Sequence, residues 1–248
     1  MFVLQNIALI NWYLFSAIDI PIGGNVAIIG VNGSGKSSIL DAIQTCIMGG
    51  DKTYISFNAR TEQRAQERTI RDYVLGKNPH GYLRESAYNY IVLGYRRDHD
   101  GYEYSIGLAM SASGENHEIE TRFAVDGRIL KTSDLCNIDG ENMSVVRFKE
   151  LKASLDSAGI PVKTWVQASK FRTGYMADLN PSSKKTGFPG VDDDRFKRIF
   201  KHTIEFNVDK IGHISDFVRS FILPTSEMPV EDWRAQHANY KEILDRIT

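Results

Sequence analysis

Apolar residues recur along the chain with two different periods, and the switches between them outline its elements. Residues 2–10 and 13–20 are rich in Phe, Val, Ile and Leu and predict two strands broken at Asn11-Trp12. "NVAIIG" (25–30) is apolar without alternation, as expected of a strand buried on both faces. In "KSSILDAIQTCIM" (36–48) Ile39, Leu40, Ile43 and Ile47 fall at helical spacing, and Gly49-Gly50 closes that helix. Three runs between Tyr88 and Gly127, "YNYIVLGYRR", "YEYSIGLAMSA" and "HEIETRFAV", have strand character. The turn sequences "DHDG" and "SGEN" separate them, so an antiparallel meander is expected.

Beyond the meander the pattern weakens. Residues 128–147 read as irregular, and "FKELKASLDSAG" (148–159) as a helix with a glycine stop. "NPSSKKTGFPGVDDD" (180–194) reads as a polar loop, followed by two short helices, "RFKRIFKHTI" and "ISDFVRSFIL", ended by Pro224. Near the end Val230, Trp233, His237, Tyr240, Leu244 and Ile247 are spaced 3, 4, 3, 4, 3, an a/d heptad pattern with one polar member. By spacing alone this is either the start of a coiled coil or an amphipathic helix docked on the core.

Composition changes this outline little. The chain has 248 residues, of which 42% are hydrophobic and 25% charged, so it has the balance of an ordinary globular protein with a substantial core. A net charge of −1 argues against a generic polyanion binder but leaves room for a local basic face. Cys46 falls in an apolar helix and Cys136 in a polar stretch, so no disulfide framework is expected, and a reducing compartment follows. The uncharged first 18 residues lack the basic start of a secretion signal, and Gln5, Asn6 and Asn11 interrupt them. A cytoplasmic protein without a membrane partner is expected.

Residues 28–44, "IIGVNGSGKSSILDAIQ", contain the chemistry. Gly30, Gly35, Lys36 and Ser37 fit G-x-x-x-x-G-K-[ST], placed between an expected strand and a helix. In such a loop Asn32, Gly33, Ser34, Gly35, Lys36, Ser37 and Ser38 surround the phosphates of ATP or GTP. Backbone N–H groups and the helix N-terminus face the anion, Lys36 reaches the β- and γ-phosphates, and the Ser37 hydroxyl can ligate Mg²⁺. Hydrolysis also needs a carboxylate to position metal and water, expected at the end of an apolar strand. The sequence offers none in that context.

Arg60, Arg64, Arg68 and Arg71 are spaced 4, 4 and 3 apart, which would make one basic stripe on a helix. They could meet the phosphate of nucleotide or of DNA, or form a solvated face balanced by Glu62 and Glu67. The six histidines and two cysteines show no metal-ligand spacing, and no G-x-S-x-G nucleophile elbow is present.

The run "NWYLFSAIDIPIGGNVAIIGVNGSGKSSILDAIQ" resembles the amino-terminal lobe of SMC and Rad50-type ATPase heads, in the wider ABC superfamily. The resemblance implies an α/β fold: a mixed sheet with an antiparallel meander and flanking helices over residues 1–228, and the base of a coiled coil over 229–248. It also accounts for the missing carboxylate. In that family the head is split, and the Walker B acid and signature motif sit on a carboxy-terminal lobe beyond the coil. "TIRDYVLG" (69–76), "FRTGYMADL" (171–179) and "ISDFVRSFILP" (214–224) resemble the MukB/MksB branch, with the JetC-type subunits of Wadjet plasmid-defence complexes nearest.

By this resemblance Gln167 of "WVQAS" takes a glutamine-loop role beside Mg²⁺ and the attacking water. Its alternative is a surface glutamine at a strand end. Trp12 or Tyr13 would approach the base, unless it is simply a core aromatic. Further implications are a second head in a homodimer, kleisin and winged-helix subunits, double-stranded DNA as track, and a partner nuclease. ATP-driven head joining would power loop extrusion in plasmid defence. Alternative readings are a chromosome-condensing head of MukB/MksB type, a self-contained nucleotide kinase, and a module holding nucleotide only as a structural ligand.

Overall fold

A computed structural model describes residues 1–31, 33–55, 57, 68–140, 142–180 and 193–204. The chain divides into two compact units, Met1–Glu205 and Phe206–Thr248, and every element named below belongs to the first. Asn32, Arg60, Arg64, the second short helix and the heptad at 230–247 lie outside the described residues.

The centre is one six-stranded sheet. Its strands are β1 (Phe2–Trp12), β2 (Phe15–Pro21), β5 (Ser86–Arg97), β6 (Glu103–Ser113), β7 (Asn116–Asp126) and β10 (Val162–Trp165), in the order β10-β7-β6-β5-β1-β2. The expected meander is β5-β6-β7, turning where the "DHDG" and "SGEN" sequences stand. Two-residue strands β3 (Lys77–Asn78) and β4 (Gly81–Tyr82) pair with each other, as do β8 (Cys136–Asp139) and β9 (Asn142–Val145).

Period-two alternation sends side chains to opposite faces, and both faces are covered. Ile7, Leu9, Ile91, Leu93, Ile106 and Leu108 pack beneath α1 (Lys36–Ile47), α2 (Ile70–Leu75) and α5 (Ala168–Leu179). Ala8, Ile10, Tyr90, Val92, Phe123 and Val125 meet residues of α3 (Thr132–Leu135) and α4 (Phe148–Ser157) on the other face. Helix α6 (Asp193–Ile204) follows.

The structure corrects three expectations. Every pairing in the main sheet is antiparallel, so among the described residues the sheet is not mixed. The segment expected to supply a buried strand, 25–30, lies outside the sheet, with Val26 51% and Ile29 90% exposed. Residues 128–147 are not irregular: α3 and the β8–β9 hairpin occupy most of them, in pieces too short to show a period, and Cys136 is buried there. The first hairpin turns at Tyr13-Leu14, with Asn11 and Tyr13 at φ 52° and 51°. Asparagine tolerates that backbone well, and the Asn11 amide is held by donating to the Tyr88 carbonyl at 2.8 Å.

Candidate functional site

The glycine loop leads straight into α1. Gly33 and Gly35 have φ 85° and 92°, backbone that favours glycine. At Gly30 a Cβ would come within 2.7 Å of Ser34 Oγ, and at Gly35 within 2.7 Å of Phe15 Cζ on β2. The loop is thus curled tightly on itself and against the sheet. The Lys36 ammonium donates to the carbonyls of Gly30 and Val31, at 2.8 and 2.7 Å, so the side chain lies back along the loop. No side chain caps the first turn of α1, which leaves backbone donors and the positive helix end for an anion.

Neighbouring residues fix this end of α1. The Trp12 indole N–H donates to the Ser38 carbonyl at 2.7 Å, and the Trp12 ring stacks on Tyr73 at 4.6 Å and 8°. The Tyr73 hydroxyl donates to the buried carboxylate of Asp41, which also accepts from Gln44 Nε2 at 2.7 Å. Burial, then the Asp41 charge, push the Tyr73 phenol well above its ordinary pKa, so it remains a donor. Helix α2 holds Tyr73 in place through a capping box between Thr69 and Asp72 and a left-handed Gly76 at φ 71°.

Residues 4–64 match the family described as the P-loop containing region of AAA domain. The chain carries a P-loop. No curated protein matches it. This P-loop region suggests nucleotide binding and an NTPase, and the open donors at the first turn of α1 fit the phosphates of a nucleotide. Gly33, Ser34, Lys36, Ser37 and Ser38 would surround them, with the exposed Ser37 hydroxyl as the Mg²⁺ ligand from this loop. Mg²⁺ would supply charge neutralisation on the phosphate oxygens.

The other sequence candidates are dispersed. Gln167 is exposed at the N-cap of α5, and the start of α5 packs on Gly49, where a Cβ would be 3.4 Å from Ala168 Cα. Gly49 is past the far end of α1, a helix of 12 residues that spans about 18 Å at the standard rise. The structure therefore does not bring Gln167 to the P-loop. Arg68 precedes α2: its guanidinium lies 4.3 Å over the Tyr13 ring and donates to the Tyr13 hydroxyl at 2.9 Å. Arg71 sits in α2 and donates to Gly114 O at 2.5 Å, Tyr82 Oη at 3.0 Å and Glu115 Oε1 at 2.9 Å. So Arg68 and Arg71 do not share one helical stripe, and the carboxylate opposite Arg71 comes from the β6–β7 turn. Trp12 is fully buried as a core aromatic, while Tyr13 is half-buried beneath Arg68.

Sequence reasoning missed a second cluster, at the far end of α1. The carbonyls of its last residue and of the two that follow are each met by a side chain. Tyr175 Oη donates to Ile47 O at 3.1 Å, Arg172 Nη1 to Met48 O at 2.8 Å and Arg122 Nε to Gly49 O at 2.6 Å. Cations at a helix C-terminus complement its dipole, as an anion does at the other end. No spacing rule announces these residues, which come from β7 and α5. Among the described residues no His, Cys, Asp and Glu cluster could hold a metal, and no helix is long and apolar enough to cross a membrane.

Proposed function

We propose that this chain is the ATP-binding lobe of a two-lobed P-loop ATPase, and that another lobe supplies the hydrolytic carboxylate and covers the loop. The observation that carries this reading is apolar surface left open around the site. Ile29, Val31 and Leu40 are 90%, 79% and 57% exposed, although the sequence of 25–30 reads as an interior strand. On α1 the predicted apolar stripe of Ile39, Leu40, Ile43 and Ile47 is divided: Ile39 is buried and Ile43 and Ile47 pack at the margin of the core, while Leu40 faces out. The buried side of the helix is completed by Ser38, Asp41, Ala42, Gln44, Thr45 and Cys46. Exposed apolar patches of this kind mark interaction surfaces. The carboxylate one turn beyond Ser37, Asp41, is buried and bonded to Tyr73 and Gln44, so it is poorly placed to serve metal or water.

Within that class the resemblance to SMC and Rad50-type heads selects the finer reading. Two heads would sandwich two nucleotides, and joining and parting of the heads would move double-stranded DNA through attached coils. Kleisin and winged-helix subunits would bridge the heads. In the Wadjet-like branch a nuclease partner would cut extruded plasmid DNA; in the MukB/MksB branch the same motor would condense chromosomes. The antiparallel sheet counts against a self-contained nucleotide kinase, because those enzymes are built on parallel sheets.

Calorimetric titration with ATP and Mg²⁺, paired with a phosphate-release assay, tests the proposal. The expected result is binding that Lys36→Ala abolishes, with hydrolysis at background until a complementing lobe is added. Rapid hydrolysis by this chain alone would overturn it.

A further inference from the structure

Helix α1 is gripped at both ends, and the far grip continues into α6. Arg172 is the pivot. It is 1% exposed, and all three of its guanidinium nitrogens donate. Nη1 donates to Met48 O at 2.8 Å and lies 3.4 Å from Asp51 Oδ2, while Nε and Nη2 donate to the two carboxylate oxygens of Asp193 at 2.6 and 2.9 Å. Asp193 is the first residue of α6. Further along that helix Lys197 reaches Asp193 at 3.3 Å and Asp194 at 2.7 Å, its ammonium lies 4.7 Å over the Tyr54 ring, and Phe196 packs at the margin of the core.

We infer that the Arg172–Asp193 pair couples nucleotide at the P-loop to the docking of α6, which makes Arg172 a positioning residue of that site. This rests on the reading of the loop as an ATP site. The physical link is contiguous. Phosphate would bind the N–H groups at the start of α1, and the carbonyl that Arg172 holds is at its end. Between them lies one helix of 12 residues, stiff because it is packed on the sheet and pinned by Trp12 at its first turn. An anion at the N-terminus orders that turn and polarises the peptide dipoles in series, making the terminal carbonyls better acceptors. Arg172 is then held more firmly, with Nε and Nη2 aimed at Asp193. A bidentate pair transmits orientation as well as attraction. A helix on the outside of the sheet opens locally at a lower free energy than the core strands, so a modest bias at Asp193 shifts its population.

Amide hydrogen exchange of this chain, with and without saturating ATP and Mg²⁺, tests the coupling while calorimetry monitors binding independently. Nucleotide should slow exchange across residues 194–204 by about fivefold or more. In Asp193→Asn that slowing should vanish, exchange of the sheet amides should be unchanged, and ATP affinity should fall by the same factor, because coupling is reciprocal. Asp193→Glu, which keeps the carboxylate, should restore part of the response. A purely structural role for the pair would raise α6 exchange equally with and without nucleotide, and that result overturns the inference. So does wild-type binding of ATP with α6 exchange unmoved, although the ATP-binding reading would then stand. Failure of the wild-type chain to bind ATP overturns both.

Discussion

At the residue scale the site depends on side chains that touch no nucleotide. Asp41 is a carboxylate buried in the middle of the P-loop helix, and a buried charge is tolerated only when donors surround it. Tyr73 supplies one donor and Gln44 another. Removing only the tyrosine hydroxyl leaves the shape of the core intact and strips a donor from a buried anion, at a cost of about 1–3 kcal/mol. Tyr73→Phe should therefore lower the melting temperature clearly. Asp41→Asn on that background should recover part of the loss, because the charge that needs the donor has gone. A thermal-melt double-mutant cycle checks this, and additive losses would mean that the two groups do not interact. Asp41 was visible in the sequence as a polar residue among Ile39, Leu40 and Ile43, but its partner was not. Tyr73 lies 32 positions away, and sequence spacing carries no information about pairs brought together by a sheet crossing.

At the scale of elements, legibility followed the strength of the local period. The meander strands were read from runs of strand character between the turn sequences "DHDG" and "SGEN", and each appears between those turns. Helix α1 was legible in extent and partly in orientation. Ile39 is buried and Ile43 and Ile47 pack at the core's margin as the stripe predicted, but Leu40 is exposed, and Asp41 and Thr45 are buried because Tyr73 donates to the Asp41 carboxylate and the Thr45 hydroxyl to Asp41 O at 2.6 Å. The glycine pair that ends α1 was also legible, and the structure supplies its reason. Gly49 and Gly50 have φ 65° and 70°, and their N–H groups return to Cys46 O and Thr45 O at 3.0 and 2.8 Å. A Cβ on Gly50 would run into the Ile119 side chain on β7. Gly50→Ala combines left-handed backbone with that contact, so it should destabilise the fold by about 1–3 kcal/mol, measured by denaturant unfolding. It should also weaken ATP binding, since the turn sets where the Arg172 and Arg122 carbonyl contacts fall. Unchanged stability would show that β7 yields easily to the helix end.

At the scale of the whole molecule, the strand read from "NVAIIG" is the instructive departure. Its composition reports burial on two faces, and burial on two faces is a property of an assembly, not of a segment. Both faces of the antiparallel sheet are already covered within Met1–Glu205, so of this segment only Ile28 packs at the margin of the core. Two-sided burial would come from neighbouring strands brought by the proposed second lobe. A consequence follows that separates folding from assembly. Ile29 is 90% exposed, so Ile29→Asp should change the stability of this chain by no more than about 0.5 kcal/mol, the range of ordinary surface substitutions. In the completed ATPase the same change would bury an unpaired carboxylate between the lobes, at a cost of several kcal/mol. Complementation by the second lobe should therefore fail while ATP binding to this chain survives, because residue 29 precedes the P-loop and donates nothing to phosphate. Equilibrium unfolding, calorimetry and the complemented hydrolysis assay read the three quantities separately. If Ile29→Asp melted the isolated chain, the residue would already be packed within it. If complementation were unimpaired, the exposed segment would not be the joint between lobes, and the two-lobed reading would lose its main physical support.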